Sequence, residues 1–101
     1  RTSQPYWDAE LHRIKGELLL HRQGASQREP ERLFRLALEV SRRQQARSLE
    51  LRAATSLARL WRHQGRRDAA RDLLAPIFGW FTEGLETPDL KEARDLLAKL
   101  A

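Results

Sequence analysis

The apolar residues of this 101-residue chain are almost all of the kinds that favour helices. Eighteen leucines and 13 alanines stand beside one valine and two isoleucines. Leucine and alanine lose little side-chain freedom in a helix, whereas strands are enriched in β-branched residues. The chain also lacks cysteine, which excludes disulfides and thiolate metal sites. We therefore expect an all-α fold.

Five helices are predicted from apolar positions that recur three and four residues apart. Their expected extents are about 6–22, 30–44, 48–64, 67–81 and 87–100. Gly24, Gly65 and Gly84 follow three of them, and glycine favours the left-handed backbone that often ends a helix. Ser48 is expected to cap the third helix, and Thr87, which precedes a proline, is expected to cap the fifth.

The apolar residues of the first helix form one stripe, because Trp7, Leu11, Ile14 and Leu18 are four, three and four residues apart. The last helix is expected to cap the fold, but no cap is evident at the other end. We therefore expect Tyr6, Trp7 and Leu11 to be exposed. These residues are a candidate interface, because such a patch promotes self-association.

The two halves of the chain are similar. Gly16 and Ala58 are both small residues in mid-helix, three residues before Leu19 and Trp61 respectively, and they lie 42 residues apart. Each first helix is followed by a glycine turn and then by a second apolar helix. We therefore predict two helical hairpins, about 6–45 and 48–83, and a capping helix at about 87–100, within one domain.

This arrangement resembles the tetratricopeptide repeat, whose pattern has a small residue between large ones in its first helix and Ala-x3-Phe in its second. The matching residues of the second copy are Leu57, Ala58, Trp61, Ala70 and Leu74. The first copy is degenerate, and the 42-residue period exceeds the 34 residues of the family. The resemblance implies stacked antiparallel hairpins with a concave binding face.

The segments 53–84 and 87–93 are also similar to the carboxyl-terminal end of large bacterial proteins. In those proteins, a cyclase-like or DNA-binding region and an ATPase module precede a helical repeat array. The likeness implies the repeat tail of a cytoplasmic signalling or regulatory protein. No Gly-x4-Gly-Lys-Ser/Thr motif occurs in the sequence, so no ATP site is assigned to it.

In the repeat family, the first helix of each hairpin lines the concave face. Alignment to the family pattern places Glu10 on that face together with seven partner-binding candidates: Arg13, Glu17, Leu20, Arg52, Thr55, Arg59 and Arg62. Arg52, Arg59 and Arg62 share one helical face, and guanidinium groups bind carboxylates with two parallel hydrogen bonds. We therefore expect a protein or peptide partner with acidic side chains or a free carboxyl terminus. An ordinary solvated helix face is the alternative.

The formal net charge of +5 leaves a nucleic-acid-binding function open as a second alternative. In that case phosphates would be bound by Arg62, Arg66, Arg67 and Arg71. We favour it less, because acidic and basic residues alternate along the chain. Three pairs four residues apart are expected to meet on helix surfaces: Glu31 with Arg35, Glu39 with Arg43, and Lys91 with Asp95. A third alternative is that the domain holds its parent protein together as an oligomer.

Trp80 has two open interpretations, as an aromatic anchor for a partner or as a side chain covered by the last helix. The three histidines, His12, His21 and His63, have no third ligand placed by spacing, so we expect neither a metal nor another cofactor. No catalytic constellation is evident, and we expect no enzyme. The longest apolar stretch is shorter than the roughly 20 residues of a membrane span.

Overall fold

Five helices joined by short connections make up the described part of the chain. The computed structural model describes residues 5–22, 24 and 26–101. The helices are α1 (Asp8–Leu20), α2 (Arg28–Arg43), α3 (Arg47–His63), α4 (Arg67–Gly79) and α5 (Pro88–Leu100). No strand occurs among these residues, so the all-α class is confirmed. Every helix begins and ends within two residues of its expected position.

The helices pack in the order of the sequence, and α3 is the centre of the fold. Each helix contacts the next one, and α3 also contacts α1 and α5. The helices α1, α3 and α5 therefore lie side by side in one row, with α2 and α4 behind them. The radius of gyration is 13.3 Å, close to the roughly 13 Å expected of a compact unit of this length.

The core is built largely from residues that periodicity identifies. Fully or partly buried side chains on α2, α4 and α5 match the expected inward faces. The helix α3 is buried more completely than its single stripe of Ala54, Leu57, Ala58 and Trp61 predicts. Its residues 49–51, 53–58, 60 and 61 are all buried, because α3 packs against every other helix.

The two small mid-helix residues both lie in buried positions. Gly16 faces the ring of Phe34 on α2, and a Cβ atom built at Gly16 would lie 2.7 Å from Cε1 of that ring. Ala58 is 0% exposed and belongs to the same core cluster as Ala70 and Leu74 of α4. Small side chains at both positions therefore permit close packing within the hairpins.

The ends of α2 and α3 share one backbone conformation, although only one of them has a glycine. Gly65 after α3 has φ +80°, and Gln45 after α2 has φ +55°. The expected left-handed glycine after α3 is confirmed, whereas the left-handed Gln45 gives no signal in the sequence. This turn at Gln45 leads directly into α3, which begins at Arg47.

The two predicted helix caps have different outcomes. The expectation for Ser48 is wrong: Ala46 is the N-cap of α3, with no side-chain cap, and Ser48 already lies inside the helix. The expectation for Thr87 is confirmed, because its Oγ1 accepts a hydrogen bond from the backbone N–H of Leu90 at 3.4 Å.

Candidate interaction groove

Three adjoining cavities lie along the row formed by α1, α3 and α5, and we call them together the groove. The central cavity, of about 310 Å³, is lined by all three helices. A second cavity of about 500 Å³ lies between α3 and α5, and a third of about 250 Å³ lies between α1 and α3. Arg59 lines all three cavities.

The seven candidate binding residues all lie along this groove. Arg13, Glu17, Arg52, Thr55 and Arg59 line the central cavity. Leu20 lines the α1–α3 cavity, and Arg62 lines the α3–α5 cavity. The structure therefore brings together on one surface the residues that the family pattern assigns to the concave face.

Helical spacing places carboxylates of α1 and α5 opposite the arginines of α3. Arg52 and Arg59 are seven residues apart, which is about two turns, and Glu10 and Glu17 of α1 have the same separation. Asp89 and Glu92 lie in the first turns of α5. As a result, each of the two arginines meets one carboxylate from each flanking helix.

The first of these crossings is at Arg52. Its Nε lies 2.8 Å from Asp89 Oδ2, and its Nη1 lies 3.1 Å from Glu10 Oε2. Glu10 also accepts two hydrogen bonds from Arg13, at 3.0 and 2.7 Å. The hydrogen bonds from Arg13, with the nearby charge of Arg52, outweigh burial and hold the pKa of Glu10 below its usual value. The bond to Asp89 raises the pKa of Arg52.

The second crossing is at Arg59. Its Nη1 lies 3.1 Å from Glu17 Oε2, and its Nη2 forms an ion pair with Glu92. Ser56 Oγ donates a hydrogen bond of 2.7 Å to Glu17 and accepts one of 3.3 Å from Arg13. The guanidinium groups of α3 therefore connect α1 to α5 through ion pairs and hydrogen bonds.

Charge in the central cavity is thus compensated within the chain. Three arginines, Arg13, Arg52 and Arg59, lie among the carboxylates of Glu10, Glu17, Asp89 and Glu92. Thr55 is also internally satisfied, because its hydroxyl donates to the carbonyl of Leu51 at 2.8 Å. The sequence pattern of α3 alone reads as a basic stripe and does not include the carboxylates that face it.

Arg62 differs from Arg52 and Arg59. Within residues 5–22, 24 and 26–101 it forms no ion pair, and its buried Nε has no hydrogen-bond partner. Buried polar groups are normally hydrogen-bonded, so an exception calls for an explanation. Lys91 and Lys99 of α5 line the same cavity. Glu92 and Asp95 line it too, but Arg62, Lys91 and Lys99 form no ion pair within the described residues, so cations are in excess at the α3–α5 end of the groove.

The α1–α3 cavity adds apolar surface to the groove. Its lining includes Leu20, Leu60 and His63, and His63 also lines the neighbouring α3–α5 cavity. An apolar pocket and a basic pocket therefore adjoin each other at the end of α3.

Three of the four arginines of the nucleic-acid alternative make contacts with other parts of the chain; Arg62 is the exception. Arg66 lies over the Trp61 ring, 4.5 Å from its centroid, and 3.6 Å from Glu31. Arg67 and Arg71 donate to the carbonyls of Lys99 and Leu100, respectively, at the end of α5. These contacts complete the C-terminal end of α5 and reduce the donors available to phosphates.

Two of the three expected surface pairs are confirmed. Glu31 lies 2.9 Å from Arg35, and Glu39 lies 3.3 Å from Arg43. The third pair, Lys91 with Asp95, is not found among the described residues, where Asp95 instead lies 3.8 Å from Arg94.

The candidate interface residues outside the groove are exposed. Tyr6, Trp7 and Leu11 are 52%, 58% and 61% exposed, as expected. Trp80 is 54% exposed, and Arg47 lies 4.5 Å above its ring. Trp80 is therefore not covered by α5, and that interpretation of it is wrong.

No family model matches the chain, and no curated protein or solved structure is significantly similar to it. In the described residues, no three histidine or carboxylate side chains are grouped so that they could hold a metal ion. Nor does that part of the chain contain a helix with the length and apolar character to cross a membrane.

Proposed function

We propose that the chain is a tetratricopeptide-like interaction module that binds a protein or peptide segment in the groove of α1, α3 and α5. In this proposal it belongs to a larger bacterial signalling or regulatory protein, works in the cytoplasm and performs no chemistry itself. The observation that carries the proposal is the placement of the seven candidate residues along one groove with both basic and apolar pockets.

The charges of the groove favour a particular part of it for an acidic partner. A carboxylate that entered the central cavity would have to replace Glu17 or Glu92 at Arg59, or Asp89 at Arg52. At the α3–α5 end no such exchange is needed, because Arg62 has no ion pair within the described residues. We therefore place the carboxylate of the partner at Arg62, near Lys91 and Lys99.

Apolar contact would come from the adjoining pocket. Leu20 and Leu60 line the α1–α3 cavity, and the burial of a leucine-sized side chain there would add to the binding free energy. The partner that fits both pockets is a peptide with an apolar residue close to an acidic side chain or to a free carboxyl terminus.

The experiment is a fluorescence-anisotropy titration with a labelled peptide that ends in Leu-Asp and a free carboxylate. We expect its amidated, uncharged counterpart ending in Leu-Asn to bind at least about tenfold more weakly, because a charge-assisted hydrogen bond contributes roughly 1.5–3 kcal/mol. Arg62→Ala should weaken binding of the acidic peptide by a similar factor. Arg28→Ala, the same change at an exposed position on α2, is the matched control and should leave the affinity unchanged.

A second variant tests the role of the internal carboxylates. Glu92→Gln removes a negative charge from the cavity that Arg62 lines, so it should strengthen binding of the acidic peptide. Equal affinity for the acidic and uncharged peptides, with no effect of either substitution, would remove the proposed site. Steeply salt-dependent binding of single-stranded DNA by the unaltered chain, with no peptide binding, would favour the nucleic-acid alternative instead.

A further inference from the structure

The outward face of α1 is an apolar stripe whose side chains are largely exposed among the described residues. Trp7, Leu11, Ile14 and Leu18 are 58%, 61%, 41% and 65% exposed. The buried face of the same helix carries Ala9 and, against the Phe34 ring, Gly16. Because a helix turns about 100° per residue, the stripe lies directly opposite this buried face. The first helix is therefore apolar on two sides.

The stripe has the spacing of a helix–helix seam. Its positions alternate four, three and four residues apart, which is the pattern that keeps two helices in contact along a coiled-coil interface. The segment that carries Trp7 is held in place by a hydrogen bond of 2.9 Å from Gln44 Nε2 to the carbonyl of Pro5. The surface is thus an ordered helical stripe suited to a second helix.

The opposite end of the fold does not complement this stripe. The exposed side chains of α5 are mostly charged, with Lys91, Glu92, Arg94, Asp95 and Lys99 among them. An apolar stripe placed against that face would bury charges without partners, at a high cost in free energy. End-to-end stacking of α1 on α5 is therefore unfavourable, whereas α1 against α1 of a second copy buries apolar surface on both sides.

The charged residues on the two flanks of the stripe determine whether two α1 helices pair in a parallel or an antiparallel arrangement. On one flank, Glu10 and Glu17 are already bound by arginines of the groove. On the other flank, Asp8 and Lys15 form no ion pair within the described residues. A twofold axis that makes the helices antiparallel brings this second flank of both copies together. Asp8 then lies near Lys15 of the partner subunit, and the pair is made twice.

We propose that α1 forms an antiparallel homodimer interface through Trp7, Leu11, Ile14 and Leu18, with Asp8 and Lys15 as its charge pair. The axis passes between Leu11 and Ile14, so that Leu11 meets Ile14 of the partner subunit and Trp7 meets Leu18 of the partner subunit. The groove lies on another side of α1 and remains open in this dimer. The twofold axis would place the grooves of both copies on the same side of the dimer.

The size of the patch suits a weak, reversible dimer. With about 200 Å² for a whole large side chain, Tyr6 and the four stripe residues expose on the order of 500 Å² per copy. Two copies would bury about 1,000 Å² in total, at the lower limit for a specific interface. We expect a dissociation constant in the micromolar range.

Sedimentation velocity from micromolar to several hundred micromolar chain tests this proposal. We expect the 11.8 kDa chain to shift reversibly to a species of twice that mass. Leu11→Glu should raise the dissociation constant at least about tenfold, because it places a charge in the seam. Leu85→Glu is the matched control, since Leu85 is an exposed leucine outside α1, and it should not change the equilibrium.

Charge reversal tests the antiparallel geometry directly. Asp8→Lys alone and Lys15→Asp alone each place like charges together twice, and each should weaken self-association about tenfold. A mixture of the two variants should form heterodimers with the original affinity, because both charge pairs are then complementary. A circular dichroism spectrum of each variant checks that its helices are intact.

Four results would overturn the proposal. A chain that stays monomeric at the highest concentration has no such interface. Dimers that Leu11→Glu leaves intact use another surface, and species larger than a dimer indicate open-ended stacking. Loss of association in both charge variants without recovery in the mixture would exclude the antiparallel pairing.

Discussion

Substitution of Gly16 by alanine should destabilise the chain, although alanine is normally the better helix former. Gly16 lies in the middle of α1, where it faces the Phe34 ring of α2. A Cβ atom at this position would lie 2.7, 3.1 and 3.2 Å from three carbons of that ring. Carbon atoms prefer separations of about 3.5–4.0 Å, so the ring or the helix would have to move.

The expected magnitude follows from two opposing effects. Phe34 is 0% exposed and cannot turn into solvent, so the added methyl overpacks the core at a cost of about 1–3 kcal/mol. The higher helix propensity of alanine in mid-helix stabilises the folded state by about 1 kcal/mol. We therefore expect a net loss of about 1 kcal/mol in the free energy of unfolding. For a domain of this size this corresponds to a fall of about 4–8 °C in the melting temperature.

Urea and thermal unfolding followed by circular dichroism measure this effect. Gly79→Ala is the control: Gly79 is also helical, but nothing lies within 4 Å of its Cβ position, so this change should not destabilise the chain. In a Phe34→Leu background the ring is absent, so Gly16→Ala should no longer lower the free energy of unfolding. If Gly16→Ala raised the free energy of unfolding by about 1 kcal/mol in the chain that retains Phe34, the close approach of α1 to α2 would be refuted.

Three further perturbations have outcomes fixed by local geometry, each measured from urea unfolding midpoints. Gln45→Gly should stabilise the chain by about 1 kcal/mol, because Gln45 has φ +55° and glycine adopts the left-handed region without strain. Thr87→Ala should cost about 1 kcal/mol, because it removes the cap on the Leu90 N–H. The lowered pKa of Glu10 means that its folded form releases the proton more readily than its unfolded form. The stabilising contribution of Glu10 is therefore complete above the unfolded pKa, near 4.5, and disappears as the pH falls through the lower folded pKa. Glu10→Gln should therefore flatten this part of the dependence of the free energy of unfolding on pH.

The helices could be predicted from the sequence because their signals are local. Leucine and alanine at helical spacing, the Thr87 cap and the turn at Gly65 act within a few residues of one another. The N-cap of α3 could not be predicted, because the preceding Gln45 adopts a conformation that its residue type does not favour. Ser48 lies two residues after the N-cap, Ala46, which is too late to cap the helix.

The full burial of α3 could not be predicted from its own pattern. A single amphipathic stripe accounts for one contact surface, whereas α3 packs against four helices. Which faces of a helix are covered depends on partners that come from distant parts of the chain. Glu50 and Ser56, both polar and both buried, illustrate this dependence.

The positions of the groove residues could be predicted, but their charge environment could not. Arg52 and Arg59 read as a free basic stripe when α3 is considered alone. The carboxylates that neutralise them belong to α1 and α5, more than 30 residues away in the sequence. One signal was present in the sequence: Glu10 and Glu17 have the same seven-residue separation as the two arginines.

The most direct test of the groove is an NMR titration of the labelled chain with the peptide that ends in Leu-Asp. We predict that the amide and side-chain resonances that shift cluster around Arg62, His63 and Leu20, with smaller shifts on α5 near Lys91. Changes confined to the far side of the fold, on α2 or around Trp80, would contradict it, as would an unchanged spectrum at saturating peptide.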